Sequence, residues 1–144
     1  MIVDDPARAL PTVERLAELG AVLAVDDFGT GYSSLEYLKR LPVSEIKIDR
    51  GFVMTLADDP RDEAIARSTV QLGRSLGLRV VAEGVESAVA ARRLADIGCD
   101  QAQGYHFSPP LPLEEFTPWV RARVSAPRPD MEPTRLVRAP LLVS

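Results

Sequence analysis

Charged and polar side chains follow several short apolar stretches of this sequence. They are Asp26 and Asp27, Lys47 with Asp49, Glu83 and, after a weaker stretch, Gln103. Two adjacent carboxylates repel each other unless a cation lies between them, so the acidic pair favours a divalent metal site. The alternative is that both aspartates only cap the loop that follows, as aspartate commonly does.

Lys47 lies in an alternating stretch between Ile46 and Ile48, so its side chain should point away from theirs. It then faces either the inside of a barrel, where it needs a carboxylate or an anionic ligand, or the solvent beside an edge strand. Glu83 follows the apolar residues Val80 to Ala82, and Lys47 is its predicted cationic partner. Gln103 is either a ligand-facing amide or a surface group.

Composition excludes several classes of protein. A formal net charge of -4 argues against a binder of nucleic acid polymers, which needs a clustered basic surface. Cys99 is the single cysteine and His106 the single histidine, so the chain forms neither an internal disulfide nor a cysteine or histidine metal cluster. The amino terminus lacks the pattern of a signal peptide, and no apolar run is long enough to span a bilayer, so we expect a cytoplasmic protein.

The elements that position these side chains follow a repeated pattern of helix, glycine and short apolar strand. Asp59 and Ser87 are predicted helix N-caps, and Gly20, Gly77 and Gly98 are predicted left-handed C-caps. Strands separated by helices form parallel β/α units, and about four such units are half of a (β/α)8 barrel. The predicted fold class is therefore α/β, a partial TIM-like barrel. Its predicted helices cover residues 13–19, 34–40, 60–74 and 88–97, and its strands cover 21–25, 44–49, 78–82 and 100–103.

The chain is predicted to divide near residue 120. Residues 1–120 carry the β/α pattern, whereas 121–144 are rich in proline and lack periodicity. We expect this tail to be disordered.

Four motifs of the sequence resemble those of the EAL domain family of cyclic di-GMP phosphodiesterases, in the family's order and spacing. They are Asp26-Asp27-Phe28-Gly29-Thr30-Gly31-Tyr32-Ser33-Ser34-Leu35, Lys47-Ile48-Asp49-Arg50, Val80-Val81-Ala82-Glu83-Gly84-Val85-Glu86 and Gln103-Gly104-Tyr105-His106-Phe107. The resemblance implies the C-terminal half of a modified β/α barrel that hydrolyses cyclic di-GMP to linear pGpG with two Mg²⁺ or Mn²⁺ ions. The resemblance covers residues 1 to about 120.

The resemblance also implies a role for each site residue. Asp26 would bridge the two ions, and Asp27 would complete the coordination of one of them. Lys47 would hold the attacking water or the developing phosphate charge, Glu83 would orient Lys47 or take a proton, and Gln103 would contact the water or phosphate side.

A regulatory loop and further partners follow from the same resemblance. The loop matches the family segment that links metal occupancy to dimerisation, which allows a homodimer of a complete barrel. A sensory or GGDEF-type domain in a longer protein is a further expected partner. The loop comprises Phe28, Gly29, Thr30, Gly31, Tyr32, Ser33 and Ser34.

One feature of the family is missing from these residues. The Glu-Ala-Leu tripeptide is absent, and Glu63-Ala64-Ile65 falls within a predicted helix. The family's Asn and Glu ligands would precede Met1, so we expect the chain to begin within the barrel and to be inactive alone. One alternative is a cyclic di-GMP receptor without catalysis, and another is a receiver-like signalling domain, which the motif at Glu83 disfavours.

Overall fold

The computed structural model describes residues 6–29 and 35–125. Six helices and four strands occur in these ranges. The strands are β1 Ala24–Phe28, β2 Glu45–Ile48, β3 Arg79–Ala82 and β4 Gln101–Ala102, and the helices are α1 Pro6–Glu18, α2 Leu35–Arg40, α3 Arg50–Thr55, α4 Pro60–Leu76, α5 Ala88–Ile97 and α6 Leu113–Ser125.

The four strands form one parallel sheet in the order β1-β2-β3-β4. Parallel neighbours that follow one another in chain order, each joined by a helical crossover, are the arrangement of a barrel wall. A receiver-like domain instead reverses its strand order at a switch point, as in 2-1-3-4-5. The sheet therefore confirms the predicted β/α units and disfavours the receiver-like alternative.

Apolar packing joins the sheet to its helices. In β2, Ile46 and Ile48 have no exposed surface, while the alternate residues Glu45 and Lys47 are half-buried. The side chains of Ile48, Val80 and Ala82 join buried residues of α3, α4 and α5 in one core. Successive side chains of β2 thus point alternately to the two faces of the sheet. The apolar ones are buried under the helices, and the polar ones lie on the opposite face.

Helix caps fix the lengths of α4 and α5 as predicted. The Asp59 side chain accepts a hydrogen bond from the backbone N–H of Arg61, and Ser87 accepts one from Ala90. Gly77 ends α4 in the left-handed conformation, at φ 70°. Within α4, Gly73 lies against β3, since a Cβ at this position would be 2.3 Å from Val80 Cγ2.

The first strand begins later than predicted. Residues 21–25 were the expected strand, but β1 starts at Ala24 and includes both aspartates. The backbone N–H of Ala21 instead donates to Leu16 O, which completes the end of α1 after Gly20. Residues just after the glycine therefore belong to the helix terminus rather than to the sheet.

Two helices were not predicted. No helix was predicted for residues 50–55, but the Asp49 carboxylate accepts a hydrogen bond from the Gly51 N–H and caps α3. The helix α6 contains Pro118 and continues to Ser125. It crosses the predicted boundary at residue 120, and residues 126–144 of the predicted tail lie outside the described ranges.

The described residues up to Phe107 form one compact unit, and those from Ser108 to Ser125 belong to a second. In the second unit, the rings of Phe116 and Trp119 stack at 6.0 Å, and the Arg123 guanidinium lies 4.4 Å from the Trp119 centroid. These contacts lie along a single helix. The residues that could do chemistry all belong to the first unit.

Candidate active site

An irregularity in β1 brings the two aspartates together. Val25 pairs with Ile46 and Phe28 with Ile48, so two residues of β1 lie opposite the single residue Lys47. This is a β-bulge, which inserts one residue and breaks the alternation of side chains. In a regular strand adjacent side chains point to opposite faces, and the two carboxylates would be separated. The bulge removes that separation.

Three carboxylates converge at this edge of the sheet. Oxygen atoms of Asp26, Asp27 and Glu83 all lie within 4.8 Å of one another. Asp27 has a φ of 50°, a left-handed conformation that most L-residues avoid and that aspartate tolerates better than others. Backbone outliers of this type are concentrated at functional sites.

Lys47 is the cation of this cluster. Its Nζ lies 2.6 Å from Glu83 Oε1 and 3.3 Å from Asp26 Oδ1. Gln103 donates a hydrogen bond of 2.9 Å from Nε2 to the same oxygen of Glu83. The predicted pairing of Lys47 with Glu83 is confirmed, and all five predicted metal-binding and catalytic residues meet at the carboxyl ends of the strands.

The local charges change two pKa values. The charge of Asp26, followed by partial desolvation and the nearby carboxyl of Asp49, raises the pKa of Asp27 above its ordinary value. Desolvation acts to lower the pKa of Lys47, but the hydrogen bond and charge of Glu83, together with Asp26, outweigh it and raise that pKa. Lys47 is therefore charged at neutral pH, and the repulsion at Asp27 is of the kind that a bound cation relieves.

The sequence placed Asp49 with Lys47 among the polar groups at the strand ends but assigned it no role in the site. Its carboxyl raises the pKa of Asp27 both through charge and through a side-chain hydrogen bond. Asp49 stands two residues after Lys47, and this i, i+2 spacing was the available signal that both lie on the same side of the strand. Its role as the cap of α3 explains why the carboxylate is held in place.

The loop of the first motif, from Phe28 to Ser34, is only partly described. Phe28 ends β1 and Gly29 follows with a φ of 106°, while Thr30 to Ser34 lie outside the described residues. A Cβ on Gly29 would be 2.9 Å from the Phe52 ring. Phe28 and Gly29 also line a groove of about 440 Å³ against α4, which does not include the carboxylates.

In the described part of the chain, no helix combines the length and apolar character that a membrane span requires.

Comparison with known proteins decides the family. A model of the EAL domain matches residues 1–110. The chain belongs to the EAL domain family. The bifunctional diguanylate cyclase/cyclic di-GMP phosphodiesterase MucR from Pseudomonas aeruginosa is 50% identical over 112 residues, which cover 78% of this chain and 16% of MucR. This chain therefore spans about a sixth of that relative.

Solved structures show the same relationship for the EAL fold. The MucR phosphodiesterase in complex with c-di-GMP matches with a TM-score of 0.75 at 48% identity, over 80% of this chain and 47% of that chain. A manganese/c-di-GMP complex of Klebsiella pneumoniae BlrP1 matches with a TM-score of 0.70 at 35% identity, over 76% of this chain and 28% of that chain. A partial TIM-type barrel is thus the fold of the EAL chain described above.

The donor atoms of the EAL site suit a hard divalent cation. Carboxylate oxygens are the ligands that Mg²⁺, Mn²⁺ and Ca²⁺ prefer. The side chain of Asp26 is 63% exposed and lies 3.3 Å from Lys47, whereas Glu83 is held more closely, at 2.6 Å from Lys47 and by the hydrogen bond from Gln103. Asp26 and Asp27 are therefore the better candidates to coordinate an ion, with Glu83 close enough to assist.

Proposed function

We propose that this EAL chain supplies the carboxylate, lysine and glutamine groups of a metal-dependent cyclic di-GMP phosphodiesterase that produces linear pGpG. The β-bulge carries the proposal, because it places Asp26 and Asp27 on one side of the strand, beside Lys47. Cyclic di-GMP as the substrate is supported by the c-di-GMP complexes of MucR and BlrP1.

Two Mg²⁺ or Mn²⁺ ions are the proposed cofactors, and Asp26 and Asp27 are the residues that would hold them. When bound, such ions would activate a water molecule and neutralise charge on the phosphodiester. The residues described here supply only part of the six or so oxygen ligands that each ion prefers. Catalysis is accordingly assigned to the complete barrel.

Lys47 and Glu83 handle charge and protons in this proposal. The charged Nζ of Lys47 lies between the carboxylates of Asp26 and Glu83, beside the acidic pair that would hold the ions. It stabilises negative charge as the phosphodiester is attacked. Glu83 keeps Lys47 in place or accepts the proton of the attacking water. The Gln103 amide fixes the orientation of the Glu83 carboxylate through its hydrogen bond.

The proposed partners extend beyond the substrate. The loop from Phe28 to Ser34 begins directly after the carboxylates, so an ion at Asp26 and Asp27 is well placed to influence a homodimer contact through it. MucR combines diguanylate cyclase and phosphodiesterase functions. We therefore propose a GGDEF-type or sensory domain as a partner of this EAL domain in a longer protein.

Hydrolysis of cyclic di-GMP by the full-length protein, with Mn²⁺ or Mg²⁺, tests the function. Asp26→Asn and Asp27→Asn should each lower turnover at least about a hundredfold, because each removes one negative oxygen ligand. The matched control is Asp58→Asn, an exposed aspartate after α3, which should leave turnover unchanged. Unchanged turnover in both site variants would refute the metal roles, and ligand binding without hydrolysis by the unmodified protein would support the receptor alternative.

A further inference from the structure

Arg50 spans the loop that carries Glu83. It is the first residue of α3, and the cap residue Asp49 separates it from β2, the strand that bears Lys47. Its guanidinium Nη2 lies 2.6 Å from Glu86 Oε1, and its Nε lies 3.0 Å from Met54 Sδ. The aliphatic part of the side chain crosses Gly84, where an added Cβ would be 2.2 Å from Arg50 Cγ. Arg50 thus contacts the loop at its turning point and again at Glu86, two residues further along.

The loop turns at Gly84, which has a φ of 66°. On one side of this glycine, the N–H of Glu83 donates to Ile48 O at 3.2 Å, and on the other, the N–H of Val85 donates to Gln103 O at 3.0 Å. Glycine rotates more freely than any other residue, so the backbone at this point is the least restrained part of the loop. The stem of Arg50 packs directly against Gly84, where it occupies the position that a side chain at this residue would take.

The Arg50–Glu86 pair is a poor candidate for a purely stabilising contact. The side chains of Arg50 and Glu86 are 59% and 43% exposed, and ion pairs exposed to this degree contribute little to stability. We propose that Arg50 is a positioning residue: by holding Glu86 across Gly84, it keeps the Glu83 carboxylate against Lys47. Its effect on catalysis depends on the proposed phosphodiesterase function, whereas its effect on the Glu83–Lys47 contact does not.

The structural part of the proposal is tested by unfolding measurements on the 144-residue chain. The coupling between Lys47→Met and Glu83→Gln is measured first in the native background and then with Arg50→Met. We expect a coupling of roughly fivefold in the unfolding equilibrium constant, which falls below about twofold when Arg50 is replaced. Equal coupling in both backgrounds, or less than twofold coupling in the native one, would overturn the proposal.

The catalytic part uses cyclic di-GMP hydrolysis by the full-length protein. Arg50→Met should lower kcat about tenfold with KM changed less than twofold, since a displaced Glu83 affects the reaction rather than binding. Arg50→Lys keeps the stem over Gly84 and one donor, and should restore more than half of kcat.

Arg93→Met is the matched control, because it breaks the Arg93–Glu63 pair of 2.5 Å between α5 and α4, away from the site. It should leave kcat within twofold. An equal loss in Arg50→Met and Arg93→Met, or a raised KM with unchanged kcat, would overturn the positioning role. If the unmodified protein shows no hydrolysis, the proposed function fails, and the coupling measurement alone decides the role of Arg50.

Discussion

The helix-covered side of the sheet and the strand ends at Asp26 and Asp27 are built from the same strands by opposite rules. On the covered side, Ile46, Ile48 and Val80 have no exposed surface, and their strands pair in regular register. At the strand ends, β1 is bulged, Asp27 has a positive φ and neighbouring carboxylates repel each other. Packing on the covered side stabilises the fold. This stability offsets the cost of the repelling carboxylates and the strained backbone at the strand ends, which are unfavourable without a ligand.

The largest expected effect lies on the covered side. Ile48→Ala should lower the free energy of unfolding by about 3 kcal/mol, because it removes a fully buried side chain and leaves a cavity. Val89→Ala, at a position 57% exposed, is the control and should change it by less than about 0.5 kcal/mol. Urea denaturation of both variants measures the difference, and similar losses would show that the described core does not carry the stability.

Cys99 tests whether the covered side is closed to reagents. Burial raises the pKa of its thiol from 9.0 to about 11, so the thiolate is scarce at pH 8. The scarcity of thiolate slows alkylation, and the higher nucleophilicity of a more basic thiolate offsets only part of this loss. Alkylation by iodoacetamide should therefore be at least about tenfold slower than in the same chain in denaturant. Equal rates in the two states would place Cys99 outside a closed core.

Asp27→Asn tests the repulsion at the strand ends. Without a divalent ion, this change should raise the melting temperature at pH 7, because it removes charge beside Asp26 and Asp49, and asparagine tolerates the left-handed conformation. Because the folded-state pKa of Asp27 is raised, its charge destabilises the wild-type protein increasingly as the pH rises through this pKa. At pH 3 the carboxyl is mostly protonated, so the rise in melting temperature of Asp27→Asn should vanish there. Asp58→Asn serves as the exposed control, and a lower melting temperature for Asp27→Asn would contradict the described electrostatics.

The smallest expected effect concerns Glu63 on the helical layer. Its hydrogen bond to Arg67 and, after it, the pairing with Arg93 hold the pKa of Glu63 below its ordinary value. The pairing therefore stabilises the chain above about pH 4.5 and loses its effect as the pH falls through the folded-state pKa. Glu63→Gln should lower the melting temperature slightly at pH 7, with a smaller difference at pH 3. A difference that grows toward acid pH would contradict this pairing.

The sequence was informative where local signals agree with the fold. Asp59, Ser87, Gly77 and Gly98 mark helix ends through their own backbone and side-chain chemistry, and the structure confirms each of them. The contact between Lys47 and Glu83 was also predictable, because a half-buried carboxylate needs a cation. The family motifs then indicated which strand-end residues to compare.

The remaining features depend on pairing between distant segments. Nothing within residues 24–28 reveals a bulge, since it is defined by the register against Ile46 and Ile48. The short helix α3 was obscured by Gly51, whose unfavourable helix propensity is offset by the Asp49 cap and by burial of Val53. The role of Arg50 likewise requires knowing that Gly84 lies beneath its side chain.

Because β1 is bulged, the site depends on the number of residues between Val25 and Phe28 as well as on which residues they are. Deleting one codon at position 26 or 27 would return the strand to regular alternation, leaving a single carboxylate opposite Lys47. An EAL gene could therefore lose its pair of adjacent carboxylates in one mutational step while its other motifs stay intact. The spacing between the residues equivalent to Val25 and Phe28 should therefore be compared among members of the family together with the acids themselves.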